Sequence, residues 1–263
     1  MLGAIAGDII GSVYEGKKAW QASKTPHFQP LFADKSRFTD DTVLTVAVAE
    51  SILHGGDLVD LLKGYARSYP GAGYGGTFRR WAESDDREPY NSWGNGAAMR
   101  VSPVGFAYDV LDEVLLRARW TAEVTHDHPD GVAGAQAVAA ADFLARTGAG
   151  KEEIRDYVER KFRYDLSAHL DDIRPGYRFD VSCRGSVPPA LTAFLESADY
   201  EHAVRLAVSL GGDSDTIACI AGGVAQAYYG GVPDPIREEV MARLDDTLRA
   251  VVGEFEARYM GAP

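Results

Sequence analysis

The sequence DTVLTVAVAESILHGGD, residues 41–57, places apolar side chains at Val43, Val46, Ala47, Ile52 and Leu53 and ends on paired glycines. That spacing follows the turn of a helix and not the alternation of a strand, and glycines just past the last periodic residue are a helix stop. The same period returns near the far end, in Val240, Leu244, Leu248 and Val251, and strand-like stretches are hard to find between. The reading is therefore all-α, with helices expected at about 3–13, 41–54, 57–68, 75–84, 95–107, 112–125, 131–147, 151–162, 186–196, 200–209, 215–229 and 234–258. Small residues such as Ala133, Ala137, Ala140 and Ala141 recur on helix faces, which lets axes approach closely and predicts a compact multi-helix globule. No Gly/Ser/Pro-rich linker and no fixed-period repeat divides the 263 residues, so 1–263 is read as one domain. The least regular stretch, about Phe162 to Arg184, reads as a surface loop or lid.

Composition narrows the partners. Lys plus Arg number 27 against 39 Asp plus Glu, for a net charge of −12, and the one notable cationic pair is Arg79 with Arg80. A chain that binds nucleic acid through its phosphates presents a basic face, so nucleic acid is not an expected partner except as a carrier of a modified group. Met1 to Ile10 lacks a basic leader region, and Asp8 interrupts its apolar run. Thr216 to Val232 is nearly uncharged but carries Gln226 and repeated glycine, so it reads as a packed helix and not as a membrane span. The two cysteines, Cys183 and Cys219, have neither the number nor the spacing of a disulfide framework or a zinc site and read as buried small hydrophobes. Together these point to a cytoplasmic protein, and a monomer is expected.

Carboxylates concentrate in two short segments, Phe38-Thr39-Asp40-Asp41-Thr42 and Gly211-Gly212-Asp213-Ser214-Asp215-Thr216, each at the start of an apolar helix. Asp and Thr are favoured at helix N-termini, where they accept orphan amide hydrogens, so capping explains either segment alone. Two segments brought together would be different. Unit charges 4 Å apart repel by about 4 kcal/mol at an effective dielectric of 20, so such a cluster is tolerable mainly with cations between the carboxylates. The donors are hard oxygens with no clustered His or Cys, a set that suits Mg²⁺ or Mn²⁺ over Zn²⁺.

Elsewhere, Pro70-Gly71-Ala72-Gly73-Tyr74-Gly75-Gly76-Thr77 has the composition of a loop whose amides cradle a pyrophosphate, or of a plain flexible turn. Ser92-Trp93-Gly94-Asn95-Gly96 offers a flat indole beside glycines, suited to stacking a nucleotide, although a lone Trp is more often a core residue. His126 and His128, two apart, do not share a helix face and so do not make a metal pair. Asp85-Asp86-Arg87-Glu88 reads as a solvated run, and no Ser/His/Asp or Cys/His nucleophile signature is present.

These motifs carry a resemblance. Thr39-Asp40-Asp41-Thr42 and Gly212-Asp213-Ser214-Asp215-Thr216, with GAIAGDIIGSVYEG at 3–16 and GNGAAMR at 94–100, are similar in kind and order to the ADP-ribosylglycohydrolase family, over Gly3 to about Gly231. The resemblance implies an all-α fold with two Mg²⁺ or Mn²⁺ ions, held by Thr39, Asp40 and Asp41 from one segment and Asp213, Asp215 and Thr216 from the other. It turns Glu15, otherwise a solvated helix-end residue, into a candidate acid/base, with Asp40 and Asp213 beside it to orient an attacking water. It implies a phosphate loop at Gly73, Gly75 and Gly76, a groove lined by Ser92, Trp93, Gly94 and Asn95, and a ligand contact from His126. Trp93 stands where some members have tyrosine, which keeps stacking and removes a hydroxyl. The implied activity is removal of ADP-ribose from a modified protein side chain or from a small conjugate such as O-acetyl-ADP-ribose, with the acceptor linkage left open. The rival readings are a catalytically silent ADP-ribose-binding or structural relative, and a metal-dependent phosphohydrolase using the same carboxylates.

Overall fold

A computed structural model describes residues 1–16 and 24–261. The chain order is α1 (Leu2–Gly11), α2 (Asp40–His54), α3 (Leu58–Ser68), α4 (Gly76–Glu83), α5 (Gly96–Met99), α6 (Ser102–Ala107), α7 (Leu111–Glu123), α8 (Pro129–Arg146), α9 (Lys151–Phe162), α10 (Leu170–Ile173), α11 (Cys183–Glu196), α12 (Tyr200–Val208), α13 (Ser214–Tyr229), α14 (Asp234–Arg243) and α15 (Asp246–Tyr259). Among the described residues no sheet forms, and the one β-bridge joins Gly94 to Ser182. The all-α expectation holds. None of the described helices is long and apolar enough to cross a membrane.

The expected helices differ from these at four places. The span 95–107 is two helices, because Pro103 lies in the first turn of α6, supplies no amide hydrogen, and disfavours helical backbone just before it. The span 234–258 also divides, at Leu244 and Asp245, where the Asp245 carboxylate accepts from Leu248 N at 3.0 Å and starts a new helix. Helix α11 begins earlier than the expected 186, since Ser182 caps it by accepting from Gly185 N at 2.9 Å, and this leaves Pro188 and Pro189 inside the helix. The stretch read as a loop or lid contains the short helix α10.

Helix α13 is the centre of the molecule. Every residue from Ser214 to Gln226 is buried, and α1, α8, α11 and α12 pack around it. Its contact with α1 is set by glycine. Gly3, Gly7 and Gly11 recur every fourth residue, so they share one face of α1. A Cβ at Gly3 would lie 2.4 Å from Gly222 O, at Gly7 2.0 Å from Ala218 O, and at Gly11 2.6 Å from Ser214 O. The two helices therefore run antiparallel with their backbones touching. Cys219 and Cys183 are both free and buried, as expected.

This contact yields a first prediction. Gly7→Ala inserts a methyl where no flexible atom can yield, and overpacking of this kind costs about 3 kcal/mol. Denaturant unfolding should report that loss with an unchanged m-value. An unaltered midpoint would mean that the close approach of α1 to α13 does not hold in solution.

Candidate active site

Because α1 lies against α13, the last turn of α1 meets the first turn of α13, and the N-terminus of α2 closes the third side. Asp8 is the link. It is buried in α1, and its carboxylate accepts from Thr39 N at 2.9 Å, Thr39 Oγ1 at 2.7 Å, Thr42 N at 3.1 Å and the Thr42 hydroxyl. The Thr39 hydroxyl proton is thus directed to Asp8, which leaves its lone pairs for the α2 N-terminus; one already accepts from Asp41 N at 3.3 Å. Opposite, the Thr216 hydroxyl donates to Asp41 Oδ2 at 3.3 Å, tying α13 to α2 across 175 residues of chain. Gly211 and Gly212, with φ of 66° and 72°, turn the chain into α13 through the left-handed region that favours glycine.

The two acidic segments meet. Carboxylate oxygens of Asp8, Asp41 and Asp215 lie within 4.8 Å of one another, and so do those of Glu15, Asp213 and Asp215. Asp40 stands beside them, its amide donating to Ala72 O at 3.0 Å and its Oδ1 3.3 Å from where a Cβ on Gly73 would be. Burial raises the pKa values throughout, and neighbouring charges raise most of them further. Asp40 is pushed up to about 7 by desolvation, then by Asp8, Asp213 and Glu15. Asp213 is pushed up to about 6 by desolvation and by Glu15 and Asp180, against the Asn95 amide that lowers it. Asp41 and Asp215 are held well above the carboxylate range by burial and by each other's neighbours. Glu15 lies on the exposed side; desolvation raises it and Arg37 opposes the rise.

The chemistry of a cation site is present in these residues. Asp41 Oδ1 is buried and has no hydrogen-bond partner among the described residues, an arrangement that is unfavourable for a carboxylate unless something cationic approaches it. The two oxygen clusters share Asp215.

From this acidic end a cleft of about 590 Å³ runs outward. Gly73, Gly75 and Gly76, Ser92, Trp93, Gly94 and Asn95, and His126 all line it, so every candidate residue named from the sequence borders the same cavity. Two carry further detail. Asn95 is buried, and its amide nitrogen donates to Asp213 Oδ2 at 2.6 Å and to Ser186 Oγ at 2.9 Å, so it supports a carboxylate as well as lining the groove. Trp93 is 52% exposed and is not a core residue.

Three contributors were not assigned from the sequence. Asp8 had a signal, since it is the one carboxylate in an otherwise apolar run. Phe179 and Val181 come from the stretch read as loop or lid; they line the cleft and stay exposed, beside Trp93. Backbone bonds from Asn95 N to Val181 O at 2.8 Å and from Cys183 N to Trp93 O at 3.1 Å hold that segment in place, a long-range pairing with no periodic signature. Asp85 to Glu88 is exposed, with Arg87 bridging Asp57 at 2.9 Å and Asp60 at 2.5 Å, and His128 caps α8.

Residues 1–261 match the family model described as ADP-ribosylglycohydrolase. The chain is 29% identical over 306 aligned positions to the ADP-ribosylhydrolase ARH3 of Mus musculus, covering 88% of this chain and 82% of that protein. It is 27% identical over 271 positions to the ADP-ribosyl-[dinitrogen reductase] glycohydrolase of Rhodospirillum rubrum, covering 93% and 88%. A solved structure titled ADP-ribosylglycohydrolase-related protein complex superposes with a TM-score of 0.73 at 24% identity, over 97% of this chain and 95% of that one, which shows a shared fold. A match along nearly the whole chain, with the motif segments assembled at one cleft, places this protein in the ADP-ribosylglycohydrolase family.

Proposed function

We propose that the protein is a Mg²⁺- or Mn²⁺-dependent hydrolase that cleaves the bond between C1″ of a distal ribose and an acceptor oxygen or nitrogen, releasing ADP-ribose from a protein side chain or a small conjugate. The observation that carries this reading is the meeting of the Asp8, Asp41 and Asp215 carboxylates, with Asp41 Oδ1 buried and without a hydrogen-bond partner among the described residues, at the inner end of a cleft that aromatic residues border at its mouth. Thr39, Asp40, Asp41, Asp213, Asp215 and Thr216 would hold the ions. Cations there supply Lewis-acid charge to polarise the ribose and an attacking water.

The chain's own residues do the rest. Asp8 anchors Thr39 and Thr42 and so fixes the start of α2. Asn95 holds Asp213 in one orientation. Glu15, on the open side of the cluster with a pKa raised by desolvation, exchanges a proton with water or with the departing acceptor. The glycines at 73, 75 and 76 let backbone amides approach a diphosphate, and Trp93 stacks on the base.

A second prediction follows from Trp93. Trp93→Ala should weaken ADP-ribose binding by about 1–3 kcal/mol, the range for a base stacked on an aromatic ring, with divalent-ion binding retained. Calorimetry that finds the same affinity in both proteins would remove the indole from the ligand site.

Product analysis tests the whole reading. Arginine-, serine- and nucleic-acid-linked ADP-ribose and O-acetyl-ADP-ribose are each incubated with Mg²⁺, Mn²⁺ or EDTA. ADP-ribose plus free acceptor, lost in EDTA, is the expected outcome. AMP would indicate a phosphohydrolase, and no product together with ADP-ribose binding would indicate a silent binder.

A further inference from the structure

Arg79 and Arg80, the one notable cationic pair of the sequence, fall in α4, the helix that opens from the glycine-rich stretch. Gly75 gives that helix no capping side chain, and Gly75, Gly76 and Thr77 all line the cleft. A helical side chain leans back over the turn before it, so residue 80 covers residues 76 and 77. Arg80 does this. Its Nη2 donates to Thr77 Oγ1 at 3.2 Å, and its Nη1 lies 3.7 Å from where a Cβ on Gly76 would stand. Among the described residues no carboxylate pairs with Arg80, although acidic residues outnumber basic ones in the chain by 39 to 27. A guanidinium carries several donors and Thr77 uses one of them, so the rest of the fork is left for something else at that wall. Two other arginines border the cleft. The charge of Arg37 acts on Glu15, at the acidic end, and Arg100 is fully buried.

We infer that Arg80 is a binding residue for the diphosphate of an ADP-ribosyl ligand, a full positive charge at a wall where the first amides of α4 supply only partial ones. The identity of the ligand rests on the function proposed above; the anion site does not. A planar fork meets two phosphate oxygens at once, which backbone amides at a helix start do not do with a full charge. The field of a chain with net charge −12 opposes an approaching anion, and a single cation offsets that field only close by. Position therefore matters more than charge. That sets Arg80 apart from Arg79, which stands one residue back on the same helix and makes neither contact.

Calorimetry with ADP-ribose and with ADP, in Mg²⁺, on the wild type, Arg80→Met and Arg79→Met tests this. Arg80→Met should raise the Kd for both ligands about tenfold, the scale of one hydrogen bond to a charged group, and leave Tm unchanged. Arg79→Met removes the same charge from the same helix and should change either Kd by less than about threefold. Arg80→Lys keeps the charge without the fork and should bind more tightly than Arg80→Met. In turnover, Arg80→Met should raise KM with kcat little changed, a split that a loosened helix would not give. An Arg80→Met protein that binds both ligands as the wild type does, or no more weakly than Arg79→Met, overturns the inference. If ADP affinity depends on Arg80 but no conjugate yields ADP-ribose, the functional reading fails and the anion site stands. If the wild type binds neither ligand, both fail.

Discussion

Asp41→Asn and Asp215→Asn are each expected to abolish turnover and to remove the protein's stabilisation by divalent cations. An amide keeps the shape of the carboxylate but gives up the charge, and Asp41 Oδ1 has no hydrogen-bond partner among the described residues. A ligand that binds only the folded state stabilises it by mass action, about 4 kcal/mol at a thousandfold excess over its Kd. For a chain of this size that is a rise in Tm of roughly 10 °C, which EDTA should erase in the wild type and leave almost unchanged in the variants. The two variants should differ from ordinary core substitutions in a second respect. In EDTA, Asp41 is a buried carboxylate crowded by Asp8, Asp40 and Asp213, so neutralising it relieves repulsion. The cation-free Asp41→Asn protein should therefore melt no lower than the cation-free wild type. Identical melting of stripped and loaded wild type would remove the metal site from the reading.

Glu15→Gln is expected to leave the fold, the ions and ADP-ribose affinity in place and to slow release by about 10²-fold to 10⁴-fold, which corresponds to roughly 3–5 kcal/mol of barrier. The residue borders the cleft on its open side, with oxygens of Asp213 and Asp215 near its own, so it can reach both solvent and the reacting centre. Single-turnover release at saturating enzyme is the measurement of choice because product dissociation does not enter it. A surface glutamate would change that rate by less than about threefold, as exposed substitutions usually do little. A near-wild-type rate would take Glu15 out of the chemistry and leave only its charge beside Arg37 to explain.

The fold was legible wherever the apolar period ran long. Helices α2, α8, α9 and α12 fall where the spacing put them; α9 and α12 bury one face, whereas residues 41–49 of α2 and 137–143 of α8 are buried all round. The breaks inside 95–107 and 234–258 were missed for a local reason. In both, the hydrophobic period continues across the break, and only the stereochemistry of Pro103 and the capping by Asp245 interrupt it. The acidic segments were legible as segments but not as neighbours. Their meeting depends on the glycine face of α1, and glycines spaced four apart do not name the backbone they will touch. Asp8 was visible as an anomaly and not as a hub, since its partners Thr39 and Thr42 lie on a different helix. Phe179 and Val181 gave no signal, because a loop residue acquires a role from the wall it is pinned against.

The tie from Thr216 to Asp41 closes a chain segment of 175 residues, and this separation has a kinetic meaning. In the unfolded ensemble the two sets of carboxylates are remote from each other and bathed in water, so their mutual repulsion belongs to the native state and to the final docking of α1, α2 and α13. Contacts so distant in sequence form late, after the entropy of closing the loop has been overcome. Any neutralising charge therefore finds its place only once the globule has closed. It cannot hasten the search for the fold, but it holds the finished molecule shut, and its signature is a slower rate of opening.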